Sequence, residues 1–123
     1  MAERKHVEWI GPAQRELQDF PPAARQLAGV NLRLVQNGLD PDDWKPMEGV
    51  GPGAREIRVR TFDGGTLQHR VIYVAKFPEA VYVLHAFEKK SAQTPQHHVE
   101  VAAARYRQLL SRRNPLAQNK RGS

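Results

Sequence analysis

The sequence predicts an α+β fold with a mainly antiparallel sheet, and three observations predict it. Alternating and β-branched segments cluster between residues 55 and 87. Apolar residues at helical spacing lie on both sides of that cluster. Gly and Pro punctuate the boundaries between the segments. The expected order is β-α-α-β-β-β-α, with an N-terminal helical hairpin and a C-terminal helix packed on the sheet. The 123 residues suit one domain over 1–123, with a core at about 6–111 and no internal repeat.

Residues 6–10 alternate, with Val7 and Trp9 on one side, as a half-buried strand would. Gly11 and Pro12 interrupt the chain, and Ala13, Leu17 and Phe20 then fall at helical spacing, giving a short helix over 12–20. Pro21 and Pro22 stop it and open a second helix over 22–37. Ala24, Leu27, Ala28, Leu34 and Val35 are its expected apolar face, and Gly38 its C-terminal glycine. Residues 40–53 read as a loop pinned to the core by Trp44.

Three strands follow. In the first, over 55–62, Ile57 and Val59 point one way and Glu56, Arg58 and Arg60 the other. Asp63, Gly64 and Gly65 signal a tight turn. The unbroken apolar run from Val71 to Ala75 suits a central strand over 68–76. Residues 81–87 are again β-branched and aromatic. Thr94 as N-cap and Pro95 in the first turn begin the last helix. Its stripe is Val99, Ala102, Ala103, Tyr106, Leu109 and Leu110, and a flexible tail is expected over 114–123.

Composition narrows the function. The absence of cysteine excludes disulfides, a thiolate nucleophile and Cys-based zinc sites. No apolar run approaches the roughly 20 residues of a membrane span, and the charged N-terminus carries no secretory signal, so a cytoplasmic protein without membrane contact is expected. The net charge of +6 favours a polyanionic partner, with a generally basic soluble surface as the plain alternative. His97 and Glu100 are three apart on a helix, with His69 and His85 elsewhere, but no HExxH or other metal-ligand spacing occurs. Neither a metal nor a cofactor is expected.

Four stretches carry a family resemblance. They are Trp44-Lys45-Pro46-Met47-Glu48, Arg55-Glu56-Ile57-Arg58, His69-Arg70-Val71-Ile72-Tyr73, and the most specific, Leu84-His85-Ala86-Phe87-Glu88-Lys89-Lys90-Ser91-Ala92-Gln93-Thr94-Pro95. The last resembles a Leu-His-Gly-Phe-x-Lys-Lys-x-x-x-Thr-Pro signature followed by an Ala-rich helix. In this order, over residues 6–111, they resemble the RelE/ParE superfamily, and most closely its HigB-like, phage-derived branch. The resemblance implies the toxin of a type II toxin–antitoxin pair. Such a toxin is an endoribonuclease that cleaves mRNA on the ribosome. Its silencing partner is a small antitoxin, commonly a helix-turn-helix DNA-binding protein, in a hetero-oligomeric complex.

Metal-free RNA cleavage uses the RNA's own 2′-hydroxyl as nucleophile. The protein must accept that proton, stabilise charge on the phosphate and allow the leaving oxygen to be protonated. By the resemblance, Arg58 and Arg70 match positions for RNA contact and phosphate stabilisation, and Lys89 and Lys90 match the signature's basic pair. Arg60 joins Lys90 as a phosphate-binding candidate. His85, beside the basic pair, is the acid–base candidate, with Arg58, Arg70 and Lys89 completing the catalytic set. The plainer readings are strand arginines solvating a sheet face, a lysine pair blunting an edge, and a packed histidine. His97 and His98 read as a solvated helix start, and Tyr106 as core. The tail lacks the tyrosine or histidine–aspartate set that RelE-like nucleases often place near the C-terminus, so the acid–base pair stays open. Three rival functions stand beside the nuclease: a ParE-like poison of DNA gyrase, a non-catalytic RNA- or protein-binding module, and a phage structural or assembly protein.

Overall fold

The computed structural model describes residues 4–61, 68–90 and 93–113. The expected turn at 63–65 and the expected tail over 114–123 lie outside the described residues. The elements are β1 (His6–Trp9), α1 (Ala13–Gln18), α2 (Pro22–Gln36), β2 (Trp44–Pro46), β3 (Ala54–Val59), β4 (Gln68–Val74), β5 (Ala80–Lys89) and α3 (Gln96–Arg113). The five strands form one open sheet in the order β1-β5-β4-β3-β2. Strands β2 to β5 pair antiparallel, and β1 joins the far edge parallel to β5. The fold is mixed α+β, as the sequence predicts. Among the described residues no helix is long and apolar enough to cross a membrane.

The central strands are covered on both faces, which is why β4 and β5 lack a polar alternate position through their middles. On one face Ile57, Val71, Tyr73, Val81 and Val83 meet Ala13 and Leu17 of α1 and Ala24, Ala28, Leu32 and Val35 of α2. On the other, Ile72, Val74, Tyr82 and Leu84 meet Ala102, Tyr106 and Leu109 of α3. Helices α1 and α2 pack more on the sheet than on each other. The α2 stripe is rotated from the expected one: Leu32 is the buried leucine, and Leu34 is half-buried. Helix α2 ends at Gln36 with Asn37 as C-cap, and Gly38 is the C-terminal glycine just beyond it, in agreement with the sequence. Gly38 has φ +80, and the amides of Gly38 and Leu39 return to the carbonyls of Val35 and Leu34. Leu110, expected in the α3 stripe, is exposed.

Three local expectations are corrected. Residues 44–46 are a strand rather than loop: Trp44 pairs with Ile57 and Pro46 with Arg55. A three-residue edge strand ending in proline is too short to show alternation. Trp44 does not enter the core; it is half-buried, with the Arg55 guanidinium 3.9 Å from its ring centre, and Met47 and Val50 fasten the segment instead. Thr94 is not the N-cap of α3. The amides of His98 and Val99 return to the Pro95 carbonyl, and the Thr94 hydroxyl donates to Glu56 Oε2 at 2.6 Å. The hydroxyl donates to a buried carboxylate and accepts from Lys89 Nζ at 3.4 Å, so its oxygen faces the sheet and not the helix amides.

Strand β5 contains one irregularity. Ile72 pairs with His85, whereas Tyr73 pairs with Val83, so Leu84 is an extra residue. This bulge turns both Leu84 and His85 toward α3. The β1 ladder also ends here, at Trp9 opposite Val83, with a last bond from the Ile10 amide to the Val83 carbonyl. Beyond that point the free backbone edge of β5 needs other partners.

Candidate functional site

The strand register aligns charged side chains in rows on the α3 face. Arg58 lies opposite Arg70, and Arg70 opposite Phe87. Two residues along, Lys45, Glu56, Ile72 and His85 form the next row, and on the other side Gln68 lies opposite Lys89. Two arginines directly opposite each other repel, and a carboxylate on each offsets this, Glu56 on Arg70 and Asp43 on Arg58. Glu56 is 0% exposed, with its Oε1 3.2 Å from Arg70 Nε and 3.7 Å from Lys45 Nζ. The Arg70 contact is off the line a hydrogen bond needs, so charge holds the pair. Arg70, itself 1% exposed, donates to Gln68 Oε1 at 2.6 Å and to the His69 carbonyl at 3.3 Å.

Lys89 is 4% exposed and donates to Thr94 Oγ1 at 3.4 Å. Burial, and then Arg70, push its ammonium down to about 8, so it titrates just above neutrality. Arg58, with Lys45 and Arg60, meets solvent. The Arg58 side chain is 29% exposed and bonds Asp43 Oδ1 at 3.2 Å. Arg60 lies farther out at the rim, 3.5 Å from the same carboxylate. Five cations (Lys45, Arg58, Arg60, Arg70, Lys89) thus share two carboxylates, Glu56 and Asp43. This end of the face carries a positive field over a buried floor.

Next to the cluster runs a chain of polar contacts. Glu16 on α1 accepts from the Ala86 amide at 3.2 Å, and Arg105 on α3 donates to the Leu84 carbonyl at 2.9 Å. These two groups serve the β5 edge that β1 has left. They also grip each other bidentately, Nη1 to Oε1 at 2.7 Å and Nη2 to Oε2 at 2.9 Å. His85 Nδ1 stands 2.9 Å from Glu16 Oε1, and His85 Nε2 stands 2.8 Å from His98 Nδ1. The ring of His98 stacks on Phe87, centroids 3.9 Å apart, with His97 at 3.9 Å on its own helix. Burial opposes ionisation of Glu16, but hydrogen bonds from His85 and Arg105 outweigh it and hold the carboxyl at about 2. Burial, then His85 and His97, push His98 down to about 4.

With both rings neutral, one arrangement of protons satisfies these contacts. Arg105 Nη1 also stands 3.2 Å from His85 Nδ1, but its two hydrogens go to the nearer Glu16 and Leu84 oxygens, and a lone pair on His85 Nδ1 would face the Glu16 carboxylate at 2.9 Å. His85 Nδ1 must therefore carry the proton that the Glu16 carboxylate accepts. With His85 neutral, its Nε2 is an acceptor, His98 Nδ1 is the donor, and His98 Nε2 holds a lone pair.

The structure brings Arg58, Arg70 and Lys89 together and places His85 in the neighbouring row of the same face. Arg60 is at the rim. Lys90, one residue past the end of β5, is exposed and stands outside the cluster. Sequence reasoning missed Glu16, Glu56, Thr94, Arg105 and His98 as site residues. For His98 a signal existed: it precedes Ala102, Tyr106 and Leu109 at helical spacing, so the face that packs on the sheet begins with it. For Glu16 none did, because its role arises from the edge that a short β1 leaves open.

A family model described as "Phage derived protein Gp49-like (DUF891)" matches residues 15–107, from within α1 to within α3. No curated protein matches the chain.

Proposed function

The chain belongs to the Gp49-like family of phage-derived proteins, and from that premise we propose that it is a RelE-like toxin, HigB-like in type, that cleaves mRNA on the ribosome. The observation that carries this reading is the cationic row itself: Arg58 and Arg70 paired across two strands, with Lys45 and Lys89 about one buried glutamate. A phosphodiester seated there meets the half-exposed guanidinium of Arg58 and the ammonium of Lys45 directly. Arg70 and Lys89 lie beneath and act through their field, which a low-dielectric floor strengthens. Arg70 is thus a positioning residue, and Arg58 the contact. Arg60 extends the phosphate track at the rim. The chemistry is metal-free transesterification. The 2′-oxygen bonds to phosphorus, the bond from phosphorus to the 5′-oxygen breaks, and that oxygen takes a proton from water.

The toxin acts in the cytoplasm and is held silent by a cognate antitoxin, a small helix-turn-helix DNA-binding protein, in a hetero-oligomer. The closure of Arg70 and Lys89 behind Glu56 favours a second reading, an RNA-binding module on the same scaffold without turnover. Expression from a tightly repressed promoter, wild type beside Arg58→Ala, with mapping of mRNA ends on translating ribosomes, separates them. New cuts and growth arrest, both lost in the variant, support the nuclease. Arrest without cuts points to a gyrase poison. RNA binding without cuts or arrest points to the module.

A further inference from the structure

A nuclease of this kind needs a group that takes the 2′-hydroxyl proton; in the basic cluster the guanidinium groups remain protonated, and Lys89, the lysine whose ammonium is lowered, is buried and donates to Thr94. The histidine chain beside it does supply one. We propose that His98 is the general base, its Nε2 accepting the 2′-hydroxyl proton, with Glu16 and His85 as positioning residues that hold it in the required tautomer. This inference rests on the nuclease reading and names the missing part of the same site.

Three observations carry it. The chain is directional: a carboxylate on α1, His85 on a bulged strand and His98 on α3 contact in series at 2.9 and 2.8 Å. A proton arriving on His98 Nε2 is matched by a shift of its Nδ1 proton toward His85 Nε2, and the Glu16 carboxylate stabilises the imidazolium that results. The location is right. His98 stacks on Phe87, the residue that completes the Arg58–Arg70 row. With strands about 4.8 Å apart, that row places the Phe87 backbone roughly 10 Å from the Arg58 backbone, a span that a phosphate and a long guanidinium side chain bridge. His98 is also half-exposed, whereas His85 is buried with both ring nitrogens occupied. His85 therefore cannot meet the substrate itself.

The charged and titratable neighbours of His98 are His85 and Lys89 from β5, His97 on its own helix, Glu16 from α1, and Arg105 through Glu16. Burial and the histidine neighbours outweigh Glu16 and keep the ring neutral at physiological pH, the state a base requires.

The test is single-turnover cleavage of ribosome-bound mRNA by wild type, His98→Ala and His98→Gln, each with and without added imidazole. The expected result is a loss of roughly 100-fold or more in cleavage rate in both variants, with unchanged ribosome binding and partial recovery of His98→Ala by imidazole. Wild-type cleavage that persists in His98→Ala overturns the base and leaves the nuclease reading standing. A loss that imidazole does not restore, accompanied by a lower melting temperature, makes His98 a packing residue and also overturns the base. Absence of cleavage by the wild type overturns the nuclease reading, and this inference with it.

Discussion

On the α1–α2 side, the sheet is apolar through its middle, with Ile57, Val59, Val71, Tyr73, Val81 and Val83 under helical alanines and leucines. On the α3 side, the same strands are wholly apolar only toward one end, at Val74, Tyr82 and Leu84, with Ile72 and Phe87 set among charged rows. The other end carries Lys45, Glu56, Arg58, Arg70, His85 and Lys89. Both faces are covered, yet only one tolerates charge. The difference lies in what covers them. Helix α3 presents Ala102, Tyr106 and Leu109 over the apolar end, and His98, preceded by Thr94, over the charged one. Buried charge is stable here because the charged groups find partners from a different strand or helix.

That contrast can be broken most severely at its pivot. Glu56→Ala removes the counter-charge of buried Arg70 and is expected to lower unfolding free energy by about 3–5 kcal/mol, measured by chemical denaturation. Replacing Glu56 and Arg70 together with methionine is expected to recover most of that loss, because the pair then resembles the opposite face. On the apolar side, Leu32→Ala leaves a cavity under β3 and β4 and is expected to lower stability by about 3 kcal/mol, without specific loss of RNA binding. Arg58→Ala is expected to change stability by less than about 1 kcal/mol, yet to abolish RNA cutting. A large loss of stability in that variant would make Arg58 part of the scaffold.

The two faces should also differ in their response to pH. His98 is held down to about 4, so the unfolded chain takes up that proton first, and stability should fall as pH drops from about 6.5 toward 4. Glu16 is held at about 2, so its contribution, present above about 4.5, should be lost as pH falls toward 2. Lys89 is lowered to about 8, so stability should rise between about 8 and 10.5. The variants His98→Asn, Glu16→Gln and Lys89→Met should each flatten one of these three windows in a urea-midpoint series. The apolar core under α1 and α2 supplies none of them, since Glu16, although on α1, points to the β5 edge and Arg105, and a Leu32→Ala background should keep all three.

The same contrast explains what is legible in the sequence. The apolar face reads well, because periodicity reports burial directly: Ile57 and Val59 share a side, and Gly38 marks the end of α2. Short or irregular features do not. Strand β2 has three residues and a proline, and the bulge at Leu84 flips His85 without altering any local pattern. On the charged face, alternation puts Glu56 and Arg58 on one side, but nothing in it tells that α3 begins above them. A glutamate that points outward in the sequence pattern is thus fully buried in the fold. Thr94 looks like a helix cap because caps are local, and its actual partner lies 38 residues away. Glu16 and Arg105 belong to the site for the same non-local reason.

The separation of Glu16 from Arg105, 89 positions along the chain, has a consequence for synthesis. Contacts this distant form only after the intervening chain has closed on itself, the slow kind of contact in folding. As a nascent chain leaves the ribosomal exit tunnel, α1 and α2 emerge early, and the carboxylate of Glu16 waits for a histidine on β5 and an arginine on α3. The apparatus is therefore completed only once α3 has been made. On the proposed function, a polypeptide that cuts messages is unarmed during most of the reading of its own.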